Sequence, residues 1–124
     1  MIIDAHTHVN YLGMTADDLV RKMDNNGVDK AWLLTWEERA PAIPRCYQDL
    51  SVESVMAAYE RHPTRFVPMY APDPTRPDGV DSLRQWHARG IQGCGELKVS
   101  IDWDAPVLEP LLACVSELQL PLIF

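Results

Sequence analysis

Residues 2–9 read Ile2, Ile3, Asp4, Ala5, His6, Thr7, His8, Val9, and this run, apolar at its start and closed by two histidines, decides between the folds open to the chain. It predicts a strand over about residues 1–7 followed at once by a loop. Side chains at i and i+2 of a strand point to the same face, so His6 and His8 present two imidazoles to one side, with Asp4 sharing it. Two neutral ring nitrogens at that spacing suit a single cation. The plain alternative is a pair of half-exposed strand histidines bonded only to their neighbours.

Outward from this strand the sequence repeats one pattern. A helix is expected over 15–26, where Thr15 offers an N-cap, Asp17 and Asp18 favour the helix start, and Gly27 ends it. Residues 30–35 make a second strand. A helix follows over 51–61 through Val52, Val55, Met56 and Tyr59, and Pro63 closes it. Phe66 to Tyr70 reads as a third strand, and a third helix runs through Val80, Leu83 and Trp86 between Pro77 and Gly90. Residues 91–99 carry a fourth strand, and 106–118 a fourth helix with Leu108, Leu111, Leu112 and Val115 on one face. A fifth strand begins at Leu120. Strand starts thus recur about every 30 residues, the period of successive βα units and hence of a parallel sheet.

Two parallel architectures share that rhythm. A doubly wound sheet places a glycine-rich phosphate turn after its first strand, and here His6, Thr7 and His8 stand in that place. The expected fold is therefore α/β, of the (β/α)8 TIM-barrel type. A complete barrel needs roughly 250 residues and this chain has 124. We expect residues 1–124 to supply about four βα units and the start of a fifth strand, the N-terminal half of one barrel domain. The apolar run from Leu120 to Phe124 reads as a strand in progress. In such a barrel, function gathers at the C-terminal ends of the strands, where His6, His8, Trp36, Glu37, Asp73 and the residues from Glu96 to Lys98 fall.

Composition narrows the partners. The net charge is −7 and the isoelectric point about 4.9, which disfavours nucleic acid or an anionic membrane and leaves a small molecule as the expected partner. No apolar run approaches the roughly 20 residues of a membrane helix, and the N-terminus has no signal-peptide pattern. A cytoplasmic location is expected. Cys46, Cys94 and Cys114 are odd in number and widely spaced, as reduced thiols are, and Cys94 reads as a buried structural cysteine.

The fourth strand carries Gly93, Cys94, Gly95, Glu96, Leu97 and Lys98, in which small residues flank two ionisable groups on one face. Buried charges demand partners. A simple ion pair between Glu96 and Lys98 is one reading, and participation in a site is the other.

IIDAHTHV resembles the N-terminal metal-binding signature of the amidohydrolase superfamily, and the residues from Gly95 to Lys98 resemble that superfamily's fourth-strand region. RHPTRF at 61–66 and SELQLPLIF at 116–124 look like the amidohydrolase-2 family within it. The resemblance implies a metal-dependent barrel hydrolase of a small ester, lactone or amide. His6 and His8 would be metal ligands and Glu96 a third or bridging one. Lys98 would be either a ligand after carboxylation or an ammonium that orients a substrate carboxylate, so Glu96 and Lys98 are the candidate catalytic residues. The implied cofactor is a divalent metal, zinc first, with manganese or iron as alternatives. Such a metal activates water and polarises a carbonyl. Family decarboxylases would use the same metal. Further histidines and an aspartate base would lie beyond Phe124, so these residues alone are expected to be inactive.

A reading from another class is a half-barrel module without catalysis of its own, associating through exposed strand edges, as a homodimer for example. His62 and His87 fall on the outer ring and are not expected to be ligands. Arg39 and Arg45, in the long loop after the second strand, read as surface charges. Trp32, Trp86 and Trp103 read as packing aromatics, and Trp36 as a pocket wall.

Overall fold

The first helix shows how closely local sequence sets an element. In the computed structural model, which describes residues 1–36, 50–99 and 101–124, helix α1 (Ala16–Asn26) starts at Thr15. The Thr15 hydroxyl accepts from the Asp18 N–H at 3.2 Å, and the Asp18 carboxylate accepts from the Thr15 N–H at 3.0 Å, a reciprocal cap. The helix ends at Gly27, whose φ of 67° is left-handed, a conformation glycine adopts without a Cβ penalty. Ala16, Leu19 and Met23 form its buried stripe.

The same devices recur. Helix α2 (Val52–Arg61) is capped by Ser51 and stops just before His62 and Pro63, where the residue preceding a proline is biased away from helical backbone. Helix α3 (Gly79–Ala88) and helix α4 (Glu109–Glu117) complete the set, α4 following a 3₁₀ turn at Pro106–Leu108. Among the described residues no helix is long and apolar enough to cross a membrane.

Between the helices lie three parallel strands, β1 (Ile3–Thr7), β2 (Lys30–Leu33) and β3 (Phe66–Pro68), in the order β1-β2-β3. Ile3 faces Lys30, Asp4 faces Ala31, and Ala31 in turn faces Phe66. Single parallel bridges, Met69 with Gly93 and Cys94 with Leu122, carry the sequential order two segments further. The fourth and fifth strands expected over 91–99 and from Leu120 are thus each reduced to a short contact. Beyond Cys94 the backbone leaves the ladder: the Thr35 N–H donates to the Gly95 carbonyl and the Glu96 N–H to the Thr35 carbonyl, both at 3.1 Å, and the Leu97 N–H reaches the Ile123 carbonyl at 2.9 Å. A Cβ at Gly93 would come within 2.2 Å of Met69 Sδ, so the missing side chain is what lets the third and fourth segments meet.

Two apolar clusters hold the layers together. Leu19, Met23, Ala31, Leu33, Val55 and Phe66 fill the space between the sheet and α1. Val52, Met56, Leu83, Ile91, Leu111 and Val115 fill that beneath α3 and α4. Neighbouring faces of α2 enter the two, Val52 and Met56 one and Val55 and Ala58 the other, and each fully buried Leu or Phe contributes about 1.5–3 kcal/mol. Leu112, expected on the buried face of the last helix, is only half-buried, and Cys114 takes that place. Trp103 departs further: it is 59% exposed and meets the still more exposed Phe124 at 4.5 Å between ring centroids, so it packs on a surface aromatic and not in the core. Cys94 and Cys114 are free, buried thiols. Burial, with Cys114 nearby, pushes the Cys94 thiol up to about 12, as befits an inert structural cysteine.

Candidate functional site

The C-terminal ends of β1 and β2 and the segment after Cys94 converge on one small cluster. His6 lies on β1 and His8 just beyond it. Their Nε2 atoms stand 3.2 Å and 3.5 Å from the same oxygen, Glu96 Oε2. One donor atom from each of His6, His8 and Glu96 lies within 4.8 Å of the other two, close enough for a single cation. The i, i+2 geometry of the strand brings the rings side by side at 5.4 Å, steeply inclined to one another.

The hydrogen bonds fix which atoms are available. His8 Nδ1 lies 2.9 Å from the Leu34 carbonyl oxygen. A carbonyl only accepts, so Nδ1 carries the proton and donates it. Burial pushes the His8 pKa below its usual value, outweighing the Leu34 carbonyl and the Glu96 charge, which pull the other way. The ring is therefore neutral near pH 7, and its Nε2 presents a lone pair. That lone pair faces a carboxylate oxygen, and two acceptors 3.5 Å apart oppose one another unless a cation stands between them. The donor set thus fits a divalent metal: two imidazoles and a carboxylate, one imidazole held from behind by a backbone carbonyl as metal-binding histidines are.

Glu96 is 7% exposed, and its second oxygen is also engaged. Lys98 Nζ donates to Oε1 at 3.0 Å while lying 4.4 Å from the centroid of the Trp36 ring. This is an ammonium's environment, since a carboxylated Lys98 would set a second negative charge beside Glu96 and lose the cation–π contact. Both ionisable groups of the fourth segment are therefore brought together as a pair, and one of them also faces the histidines.

Other candidates separate. Asp4 spends its Oδ1 on the His6 backbone N–H at 3.0 Å. The Asp73 carboxylate accepts from the backbone and hydroxyl of Thr75, on the rim of a shallow groove shared with Ala71, Glu96 and Lys98. His62 bonds to Asp17 on the helical layer, and His87 Nδ1 meets the Ile91 carbonyl at 2.9 Å. Glu37, Arg39, Arg45 and the rest of the loop up to residue 49, Cys46 included, lie outside the described residues. Sequence reasoning passed over Leu34 and Thr35, which meet the site through backbone atoms; the one signal was a threonine closing an otherwise apolar strand.

No protein-family model matches the chain, and no curated protein matches it. Solved structures do. The chain shares its fold with a probable 2-pyrone-4,6-dicarboxylic acid hydrolase from Acinetobacter baumannii, solved with citric acid bound, at a TM-score of 0.69 and 14% identity over 98% of this chain and 48% of that one. It shares it also with a 5-carboxyvanillate decarboxylase from Novosphingobium aromaticivorans, solved with manganese and 3-methoxy-4-hydroxy-5-nitrobenzoic acid. There the TM-score is 0.63 and the identity 21%, over 84% of this chain and 32% of that one. The chain therefore spans about half the length of the hydrolase and about a third of the decarboxylase.

Proposed function

We propose that residues 1–124 form the N-terminal half of a (β/α)8 enzyme of the amidohydrolase type, a metal-dependent hydrolase of a small ester, lactone or amide. One observation carries this reading: His6 and His8 converge on a single oxygen of buried Glu96 at 3.2 Å and 3.5 Å, with the His8 proton committed to the other side of its ring. His6 and His8 would hold a divalent cation through Nε2, and Glu96 through Oε2. Zinc suits two imidazoles and a carboxylate, and manganese, bound in the decarboxylase of similar fold, is the alternative. When bound, the cation would supply charge to acidify water and polarise a substrate carbonyl.

The chain's own residues prepare that chemistry. Leu34 locks the His8 tautomer, and Lys98 neutralises part of the Glu96 charge while Trp36 holds the ammonium. Lys98, 48% exposed on its side chain, is also free to reach outward to a substrate carboxylate. That same ammonium, with the fold shared with a decarboxylase, favours removal of a carboxylate as the second reading. Buried free thiols suit a reducing, cytoplasmic setting.

The test is elemental analysis of the intact protein beside His6→Ala and His8→Ala. Near-stoichiometric metal, lost from both variants, is expected. A metal-free parent, or metal that survives both substitutions, overturns the ligand assignment. Carbon dioxide release, set against acid production, then separates decarboxylation from hydrolysis across a panel of small carboxylates and lactones.

A further inference from the structure

We infer that Thr35, which lends no atom to the cluster, is the positioning residue of the metal centre. The inference rests on the metal-site reading above and adds to it the element that sets its geometry. Thr35 is fully buried, just past the end of β2, and stands where three chain segments meet. Its backbone N–H donates to the Gly95 carbonyl and its carbonyl accepts from the Glu96 N–H, both at 3.1 Å. Its hydroxyl donates to the same Gly95 carbonyl at 3.3 Å and accepts from the Ala71 N–H at 3.1 Å.

Those four contacts explain why Glu96 lies where it does. The fourth segment would continue along the end of β3 if it stayed in the ladder. Instead Thr35 draws Gly95 and Glu96 across to the end of β2, and its hydroxyl occupies the Ala71 N–H that would otherwise seek another partner. Next to it in sequence, Leu34 offers its carbonyl to His8 Nδ1 at 2.9 Å. One dipeptide, Leu34–Thr35, thus orients a histidine ligand on one side and the carboxylate ligand on the other. A ligand set built on two separate segments has its spacing fixed by what ties the segments together, and Thr35 makes the hydrogen bonds that join Gly95 and Glu96 to the end of β2.

The experiment is a titration of the intact protein with cobalt(II) chloride, followed by visible absorption, for the parent, Thr35→Val and Thr35→Ser. Valine keeps the shape and deletes the hydroxyl; serine keeps the hydroxyl. Removing a group that orients metal ligands weakens binding about 10–100-fold, so valine is expected to lose that much affinity and to shift the cobalt absorption bands, while serine restores both. Circular dichroism of the metal-free proteins confirms that each is folded. If valine does not fold, Thr35→Cys takes its place, since a thiol is a weak donor of similar size, and an intermediate loss is expected. Cobalt affinity and spectrum unchanged in a folded Thr35→Val or Thr35→Cys protein, or a loss that serine fails to restore, overturns the inference and leaves the metal site standing. A parent that binds no cobalt overturns the metal site itself.

Discussion

Among the described residues two clusters join histidine to carboxylate, and they are built to opposite ends. On the helical layer Asp17 accepts from Arg61 through both oxygens, at 2.7 Å and 2.6 Å, and His62 Nε2 adds a third contact at 2.7 Å. The guanidinium supplies the positive charge, the fork saturates the carboxylate, and the group stands in water with 43% of the Asp17 side chain exposed. At the strand ends Glu96 keeps 6% of its side chain exposed. Among the described residues it receives a cation on one oxygen, from Lys98, while the other faces two imidazoles. The first cluster is complete and clamps α1 to α2. In the second, no cationic side chain among the described residues pairs with the Glu96 oxygen that the two imidazoles face, and this, more than the presence of histidine, separates a candidate metal centre from a surface ion pair.

The largest expected effect tests that difference directly. Glu96→Gln should strip the metal, read as metal content after dialysis, whereas the matched Asp17→Asn should leave metal content at the parent level. Equal losses in both would erase the contrast. A smaller effect concerns Lys98. Lys98→Met removes the only charge paired with Glu96 Oε1 among the described residues and should cost the metal-free protein about 1 kcal/mol in denaturant unfolding. Saturating manganese should narrow that gap, because the added cation takes over the Glu96 charge.

The smallest effect lies in the helical clamp and in acid. Hydrogen bonds from Arg61, then from His62, hold the Asp17 carboxyl well below the usual carboxylate range. A carboxyl depressed in the folded state stabilises fully above its unfolded pKa of about 3.9, and that contribution is lost as pH falls through the lower folded value. Asp17→Asn should therefore lower Tm modestly at pH 7, and the difference from the parent should shrink as pH is taken well below 4. High salt at pH 7 should shrink it too, since the pair is exposed. A gap that persists in strong acid would show that Asp17 acts through something other than its charge.

Much of this was legible in the residues themselves. Thr15, Gly27, Ser51 and Pro63 mark helix ends because caps and breakers act within a few residues. The i, i+2 spacing of His6 and His8 put both rings on one face because strand geometry is local. The expected fourth strand over 91–99 was less legible, since its departure after Cys94 depends on bonds to Thr35, which lies 60 residues away. Trp103 was misjudged for a similar reason: an aromatic residue carries no local sign of whether a neighbour will cover it.

By itself, then, the sequence determined the alternation of strands and helices, the parallel sheet it implies, and the histidine pair, all of which follow from periodicity and caps within a short span of chain. Only the tertiary structure decided that Glu96 turns toward those histidines while His62 turns toward Asp17, and that the Lys98 side chain lies over Trp36. Those outcomes rest on contacts between segments tens of residues apart, whose geometry is fixed by the packed layers and by backbone groups that every residue carries alike.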